Sequence, residues 1–289
     1  MSRTFAVIGP GKVGTALARL LVGAGYVLIG IAGRTLASAQ TACAFAGAGR
    51  PATDPPELTG TADLVLIATP DDAIRGVCDQ VADAGGFHPG AIVAHCSGAL
   101  PSTVLARARR AGAHVGSMHP LQTFATAEQA VVLIPGSYCC IEGDAEAVAV
   151  LTEAAHALSM TPLSIATEAK PLYHAAAVVA SNYLVVLAAA VKLDETAGIA
   201  REDALKSLLP LIKGTVANLG DVGVPIALTG PVERGDVETA RGHLSALRAK
   251  APALLPLYKV LGLEAVKVAR AKGTLSAERA ARLVKLLEE

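Results

Sequence analysis

Glycines at positions 9, 11 and 14, in the run Gly9-Pro10-Gly11-Lys12-Val13-Gly14, have the spacing that cradles a pyrophosphate. Gly9 permits a tight turn, Gly11 lets the backbone approach the phosphates, and Gly14 lets a helix pack closely on a strand. A helix opening at Lys12 offers free amides and a partial positive charge to the anion. Alone the pattern is weak. It gains from following directly on the apolar strand Phe5–Ile8. The second strand of such a unit usually ends in an acidic residue about 20 residues past the loop, which holds the ribose hydroxyls. Here it ends Ile31-Ala32-Gly33-Arg34-Thr35, with no carboxylate. Arg34, helped by the hydroxyl of Thr35, can grip a 2′-phosphate by a charge-assisted bond of roughly 1.5–3 kcal/mol. The expected cofactor is therefore NADP. Thr69 and Pro70, at the end of a later strand, complete the expected cofactor site.

A reduced nicotinamide delivers hydride to a carbonyl or imine, leaving a developing negative charge or a basic nitrogen. The site then needs a proton donor and a group that orients the substrate. The stretch after Lys170 supplies candidates. On an ideal helix, Lys170, His174 and Ser181 fall within about 40° of one another, and Asn182 about 80° from His174. His174 is the favoured acid because its ordinary pKa is near neutral. Lys170, beside Pro171 at the helix start, is placed to bind a carboxylate. A buried, hydrogen-bonded histidine at a subunit interface is the plain alternative for His174. His119 is the rival acid, since it follows a strand end where open α/β sheets bind ligands. Ser97, at the neighbouring strand end, could contact the nicotinamide or the substrate. Arg234 could clamp a substrate carboxylate in a bidentate fork, and Asp236 reads as a helix N-cap.

The elements that must position these groups fall into two patterns. Through residue 165 strands and helices alternate. The expected strands are Phe5–Ile8, Tyr26–Ala32, Asp63–Thr69, Ala91–His95, His114–Met118, Ser137–Ile141 and Thr161–Ile165. The run Asp63–Thr69 is nearly all apolar, as suits a central parallel strand covered on both faces. Alternation of this kind implies βαβ units and a doubly wound Rossmann sheet, an α/β fold. Beyond Thr161–Ile165 only helical periodicity remains. A long helix is expected over Pro171–Thr196 and another over Arg201–Leu219. A loop from Leu228 to Gly235 follows, with further helices near Ala251–Leu261 and Ser276–Leu287. The expected organisation is a Rossmann NADP-binding domain at 1–165 and an all-α domain for substrate binding and dimerisation at 166–289.

Together, the glycine loop, Gly33-Arg34-Thr35 and Ala68-Thr69-Pro70-Asp71-Asp72-Ala73-Ile74 resemble the 6-phosphogluconate dehydrogenase-like superfamily. That group includes hydroxyacid dehydrogenases, ketopantoate reductase, pyrroline-5-carboxylate reductase, prephenate dehydrogenase and deazaflavin-dependent NADP reductases. Three further runs look like one branch of it, the Rossmann-like oxidoreductases with a C-terminal domain of unknown function. They are Ser117–Phe124, Tyr173-His174-Ala175-Ala176 through Ser181-Asn182, and Thr229–Asp236. The resemblance spans essentially the whole chain and implies an NADP-dependent oxidoreductase. In the hydroxyacid dehydrogenases a Lys and an Asn one turn apart supply the donor and the orienting amide. Here the residue one turn after Lys170 is His174, and Asn182 comes two turns later, so Lys170 and His174 both stand as candidates for the acid. A His-Pro comparable to His119-Pro120 occurs in the prephenate dehydrogenases. The substrate that the superfamily suggests first is a ketopantoate-like 2-oxo acid. Alternatives are a cyclic imine, as in pyrroline-5-carboxylate reductase, and a regulatory protein that binds NADP without turnover.

Composition narrows the remaining classes. The chain has 289 residues, 52% hydrophobic and 17% charged, enough to bury a large core. Lys plus Arg and Asp plus Glu both number 25, so no net charge draws the protein to nucleic acid. With aromatics at 3% and no Trp, base stacking has little to work with. The five cysteines show no metal-ligand spacing and read as reduced thiols, with Cys139 and Cys140 on opposite faces of a strand. No metal site is expected. Met1-Ser2-Arg3-Thr4 leads straight into a strand, so a cytoplasmic protein without a targeting segment is expected. Ala175–Val191 carries no charge, but Ser181, Asn182 and Tyr183 at its middle are costly in lipid. A helix buried in a domain or subunit core is the expected form, and with it a homodimer.

Overall fold

The computed structural model describes residues 3–289, and of Ala189 the backbone only. Met1 and Ser2, where the expected unbroken lead into the first strand begins, lie outside the described residues. The chain divides into two compact units, Met1–Asn182 and Tyr183–Glu289.

The first unit is built on eight strands: β1 (Thr4–Ile8), β2 (Val27–Ala32), β3 (Arg50–Ala52), β4 (Leu64–Ile67), β5 (Ile92–His95), β6 (His114–Leu121), β7 (Tyr138–Gly143) and β8 (Thr161–Ser164). Their order across the sheet is β3-β2-β1-β4-β5-β6-β7-β8. Strands β1 to β6 are parallel, β7 runs antiparallel to β6, and β8 is parallel to β7. The first six strands thus have the doubly wound Rossmann order.

Period-two alternation divides the side chains between two cores. Phe5, Val7, Leu64 and Leu66 pack on one face, and Ala6, Ile8, Val65 and Ile67 on the other. Each large side chain so buried contributes about 1.5–3 kcal/mol. All four residues of β4 and of β5 are buried, which is why β4 reads as an unbroken apolar run and β5 as Ile92-Val93-Ala94 closed by the buried His95. The sequence expectation lacked β3. It has three residues, lies at the sheet edge and contains Pro51, a residue that edge strands tolerate and pattern reading rejects.

The strand-to-helix change expected near residue 165 is the end of β8. The division between compact units comes later, inside the next helical run. That run is not one uniform α-helix over Pro171–Thr196. It comprises α-helix Lys170–Ala177, a π-turn Val178–Asn182, α-helix Tyr183–Leu187, a 3₁₀ turn Ala188–Ala190 and α-helix Val191–Thr196. A π-turn takes more residues per turn, so the angular spacing of an ideal helix fails beyond Val178. Such turns concentrate at functional sites. Of the two expected settings for Ala175–Val191, a domain core or a subunit core, the domain core is not met: Val179 is 59% exposed and Val185 75%. By length and composition, residues 167–196 are apolar enough to cross a membrane.

The second unit is helical. Arg201–Val222 passes through Pro210. Pro231–Arg234 forms a short helix within the expected loop. Asp236 caps Val237–Lys250 by accepting from the Thr239 amide, as expected. Leu255–Lys272 starts with Pro256 in its first turn and continues well past the expected end at Leu261. Its Gly262 does not stop it. A Cβ there would lie 2.8 Å from Leu287 Cδ2, so this glycine permits close packing of Ala277–Glu288.

Candidate active site

The glycine loop sits where β1 passes into helix Lys12–Gly23. Gly9 adopts φ +110°, and a Cβ on it would lie 2.6 Å from the Ala68 carbonyl oxygen. A Cβ on Gly14 would lie 2.2 Å from the Gly9 carbonyl oxygen. Both positions therefore require glycine. Gly11 differs: the nearest atom to its missing Cβ is 3.9 Å away, so the space above the loop stays open. Gly11 is also the helix N-cap and offers no side chain to the first-turn amides.

Gly9, Pro10, Gly11, Arg34, Thr35, Thr69 and Pro70 all line a groove of about 1050 Å³. Lys12, Val13 and Gly14 do not line it. Val13 packs toward the core and Gly14 is buried beneath the loop. Thr69 Oγ1 is buried with no hydrogen-bond partner among the described residues. A buried hydroxyl left unpaired suits a ligand group in the groove. Open space over Gly11, uncapped amides and this hydroxyl together fit a dinucleotide. Arg34 is exposed at the far end, beside Thr35 and Ser38. Thr35 caps helix Leu36–Ala46, its hydroxyl accepting from the Ser38 amide. Asp54, beyond β3, is the carboxylate at that part of the groove.

A second cavity, of about 560 Å³, is lined by His119, Tyr173, His174, Ser181 and Asn182 among others. The Tyr173 hydroxyl and His119 Nδ1 share a hydrogen bond of 3.0 Å. The His119 ring stands edge-on to Tyr173 and to His174, with centroids 5.8 and 6.2 Å apart. Burial, then the charge of Lys170, lowers the His119 pKa to about 4, so its ring is neutral at pH 7. Burial raises the Tyr173 phenol, which therefore stays protonated. No Lys or Arg is among the described residues lining this cavity.

Two predicted site residues lie behind it. The Lys170 side chain is fully buried. Its Nζ donates to the Ser97 carbonyl and to Ser117 Oγ, both at 2.7 Å. Ser117 Oγ in turn donates to Glu142 Oε1 at 2.6 Å. Glu142 also accepts from the Ser102 amide, the Ser102 hydroxyl and the Thr167 hydroxyl. Burial lowers the Lys170 pKa, and the Glu142 carboxylate opposes that shift. Ser97 Oγ donates to Asp71 Oδ2 at 2.8 Å and accepts from the amides of Ala99 and Leu100. Its hydroxyl is committed to the turn. Arg234 lies in the second unit, where its carbonyl accepts from Arg279 Nη1.

Tyr173, Ser117 and Glu142 carried no assigned role in the sequence reading. Tyr173 stands next to His174 in a run already singled out. Glu142 is a carboxylate at the end of the apolar stretch Cys139-Cys140-Ile141, and such a group needs a buried partner.

Residues 2–120 match the model of a Rossmann-like domain, and residues 137–265 match a domain of unknown function, DUF2520. No curated protein matches the chain. Among solved structures, a provisional NADP oxidoreductase from Bacteroides fragilis is 27% identical, with TM-score 0.73 over 92% of this chain and 98% of its own. A Thermotoga maritima protein is also 27% identical, with TM-score 0.72 over 93% and 99%. A reductive aminase from Aspergillus terreus, solved with NADPH and ethyl-5-oxohexanoate, shares the fold at 21% identity, with TM-score 0.63 over 100% and 93%. The chain is thus an oxidoreductase with a Rossmann NAD(P)(H)-binding domain and a helical C-terminal region.

Proposed function

We propose that the protein is an NADPH-dependent reductase of an uncharged or cationic C=N compound, a cyclic imine in the first instance. The observation that carries this is the charge of the cavity. Its described lining offers imidazole, phenol, hydroxyl and amide groups but no cation. A 2-oxo acid would bury its carboxylate there without a counter-charge, at a cost of several kcal/mol. The reading therefore prefers the imine over the ketopantoate-like acid that the resemblance suggests first. The reductive aminase sharing the fold supports the same class of substrate.

A bound nicotinamide supplies the hydride. Tyr173, bonded to His119, and His174 are the donors available to the substrate nitrogen. Ser181 and Asn182, on the π-turn, orient the substrate. Arg34 selects the 2′-phosphate of NADPH, assisted by Thr35 and Ser38. The exposed helical run after Lys170 forms the contact between two copies of the chain.

The test is NADPH absorbance loss with three panels: cyclic imines, ketones with a primary amine, and 2-oxo acids. Turnover is expected with the imines and not with the oxo acids. Turnover confined to 2-oxo acids overturns the substrate reading, and equal use of NADH overturns the cofactor reading.

A further inference from the structure

Gly98 is the point where the buried Lys170 network meets the cavity. A Cβ built on Gly98 would lie 2.6 Å from His174 Cδ2 and 2.8 Å from His119 Nε2. Both rings rest against this bare Cα. The peptide that carries it begins at the Ser97 carbonyl, which accepts from Lys170 Nζ. The other side of Ser97 is pinned as well, its hydroxyl bonded to Asp71 at the edge of the cofactor groove.

We propose that Lys170 is a positioning residue and not the proton donor: paired through Ser117 with Glu142, it fixes the Ser97–Gly98 peptide on which the His119 and His174 rings are seated. Three observations carry this. Both polar contacts of the Nζ are made to protein acceptors. Lys170 is fully buried and does not line the cavity. Glu142, held by four donor groups, gives the buried ammonium a counter-charge one hydroxyl away. A buried cation left without that carboxylate is strongly destabilising, so the two must be kept or lost together. The inference rests on the proposed reductase reading for its kinetic part only.

The experiment compares K170M, E142Q, K170M/E142Q and G98A. In the double variant the glutamine oxygen can accept from the Ser102 amide and Ser117 hydroxyl. Its amide can donate to the Ser102 and Thr167 hydroxyls, so no buried carboxylate is left without a counter-charge, while the Ser97 carbonyl still lacks the donor that Lys170 gives it. K170M should lower kcat about 100-fold, the scale of a misplaced catalytic group. The double variant removes the unpaired buried carboxylate, so it should regain the stability that K170M loses while its kcat stays lowered and its pH profile stays that of the wild type. G98A should lower kcat while leaving the KM for NADPH unchanged. Histidine ring signals by NMR, read without cofactor, should move for His119 and His174 in K170M and G98A and stay displaced in the double variant. Loss of the alkaline limb of the profile in the folded double variant makes Lys170 the acid and overturns the proposal. Ring signals that do not move in K170M overturn it too. Absence of any wild-type turnover counts against the reductase reading, and the NMR arm then still decides the role of Lys170.

Discussion

Tyr173 is the side chain on which the proposed chemistry depends most directly, because its hydroxyl touches both the cavity and His119. Tyr173→Phe keeps the ring and removes the proton, so kcat on an imine should fall by about 10²-fold or more, with the KM for NADPH unchanged. Steady-state kinetics decide it, and an unchanged kcat moves the donor role to His174. At the other end of the unit, Arg34→Ala should raise the KM for NADPH about tenfold to hundredfold and leave that for NADH alone. His95 gives a prediction for stability. Burial, then Lys170, lowers its folded-state pKa to about 4 from 6.5. Between those values the unfolded chain binds a proton that the folded chain refuses, so stability is lost as pH falls through this window. The loss is about 3 kcal/mol for this group when the pH has dropped below about 4. His95→Asn keeps an acceptor for the Ser97 amide and removes the titration. Its urea midpoint should therefore fall less between pH 7 and 4.5 than that of the wild type. The residue types were legible in the sequence, since His119, His174, Ser181 and Asn182 line one cavity. Their partners were not. Lys170 reads as a donor until its contacts with Ser97 and Ser117 are seen, because periodicity along one helix says nothing about which strands face it.

The elements carry their information unevenly. β4 was visible because burial on both faces leaves nothing but apolar residues, and β5 because only its last residue, His95, departs from the same pattern. β3 was hidden by Pro51, and Gly262 lies within a helix that continues for three more turns because Leu287 fills the space a side chain would take. The π-turn Val178–Asn182 was illegible for a different reason. Local propensity favours a continuous α-helix through Val178-Val179-Ala180 no less well, so no residue marks where the turn widens. The glycine loop was the most legible element, and the structure sharpens which glycines are obligatory. Gly14→Ala places a Cβ on the Gly9 carbonyl and Ala68. It should disrupt the loop and abolish NADPH binding by calorimetry, whereas Gly11→Ala, in open space, should fold normally and weaken cofactor binding alone. A Gly14→Ala protein that binds NADPH like wild type would contradict the packing account of this turn.

At the scale of the whole molecule, the helical run from Lys170 to Thr196 carries a series of exposed apolar side chains. Leu172, Val179, Val185 and Val186 are all more than half exposed. An exposed apolar surface of this kind marks an interaction site, and a second copy of the chain is its proposed occupant. A stable interface needs to bury about 1,000 Å² or more in total, so two charges placed on exposed apolar positions of the run should be enough to break it. Wild-type protein should sediment as a dimer at micromolar concentration, and Leu172→Glu/Val185→Glu as a folded monomer with unchanged far-ultraviolet circular dichroism. The substituted side chains, one in each unit, are exposed in the single chain, so the fold of neither unit has reason to suffer. A wild-type monomer at that concentration removes the second copy as occupant. Recovery of the wild type with added phospholipid vesicles would instead assign the run to a membrane surface. That outcome is disfavoured by the polar Ser181-Asn182-Tyr183 at its middle, which would have to be desolvated in hydrocarbon. A dimer does not require these residues to enter hydrocarbon, and two of them line the cavity, which is why the run is read as a subunit contact that also carries part of the site.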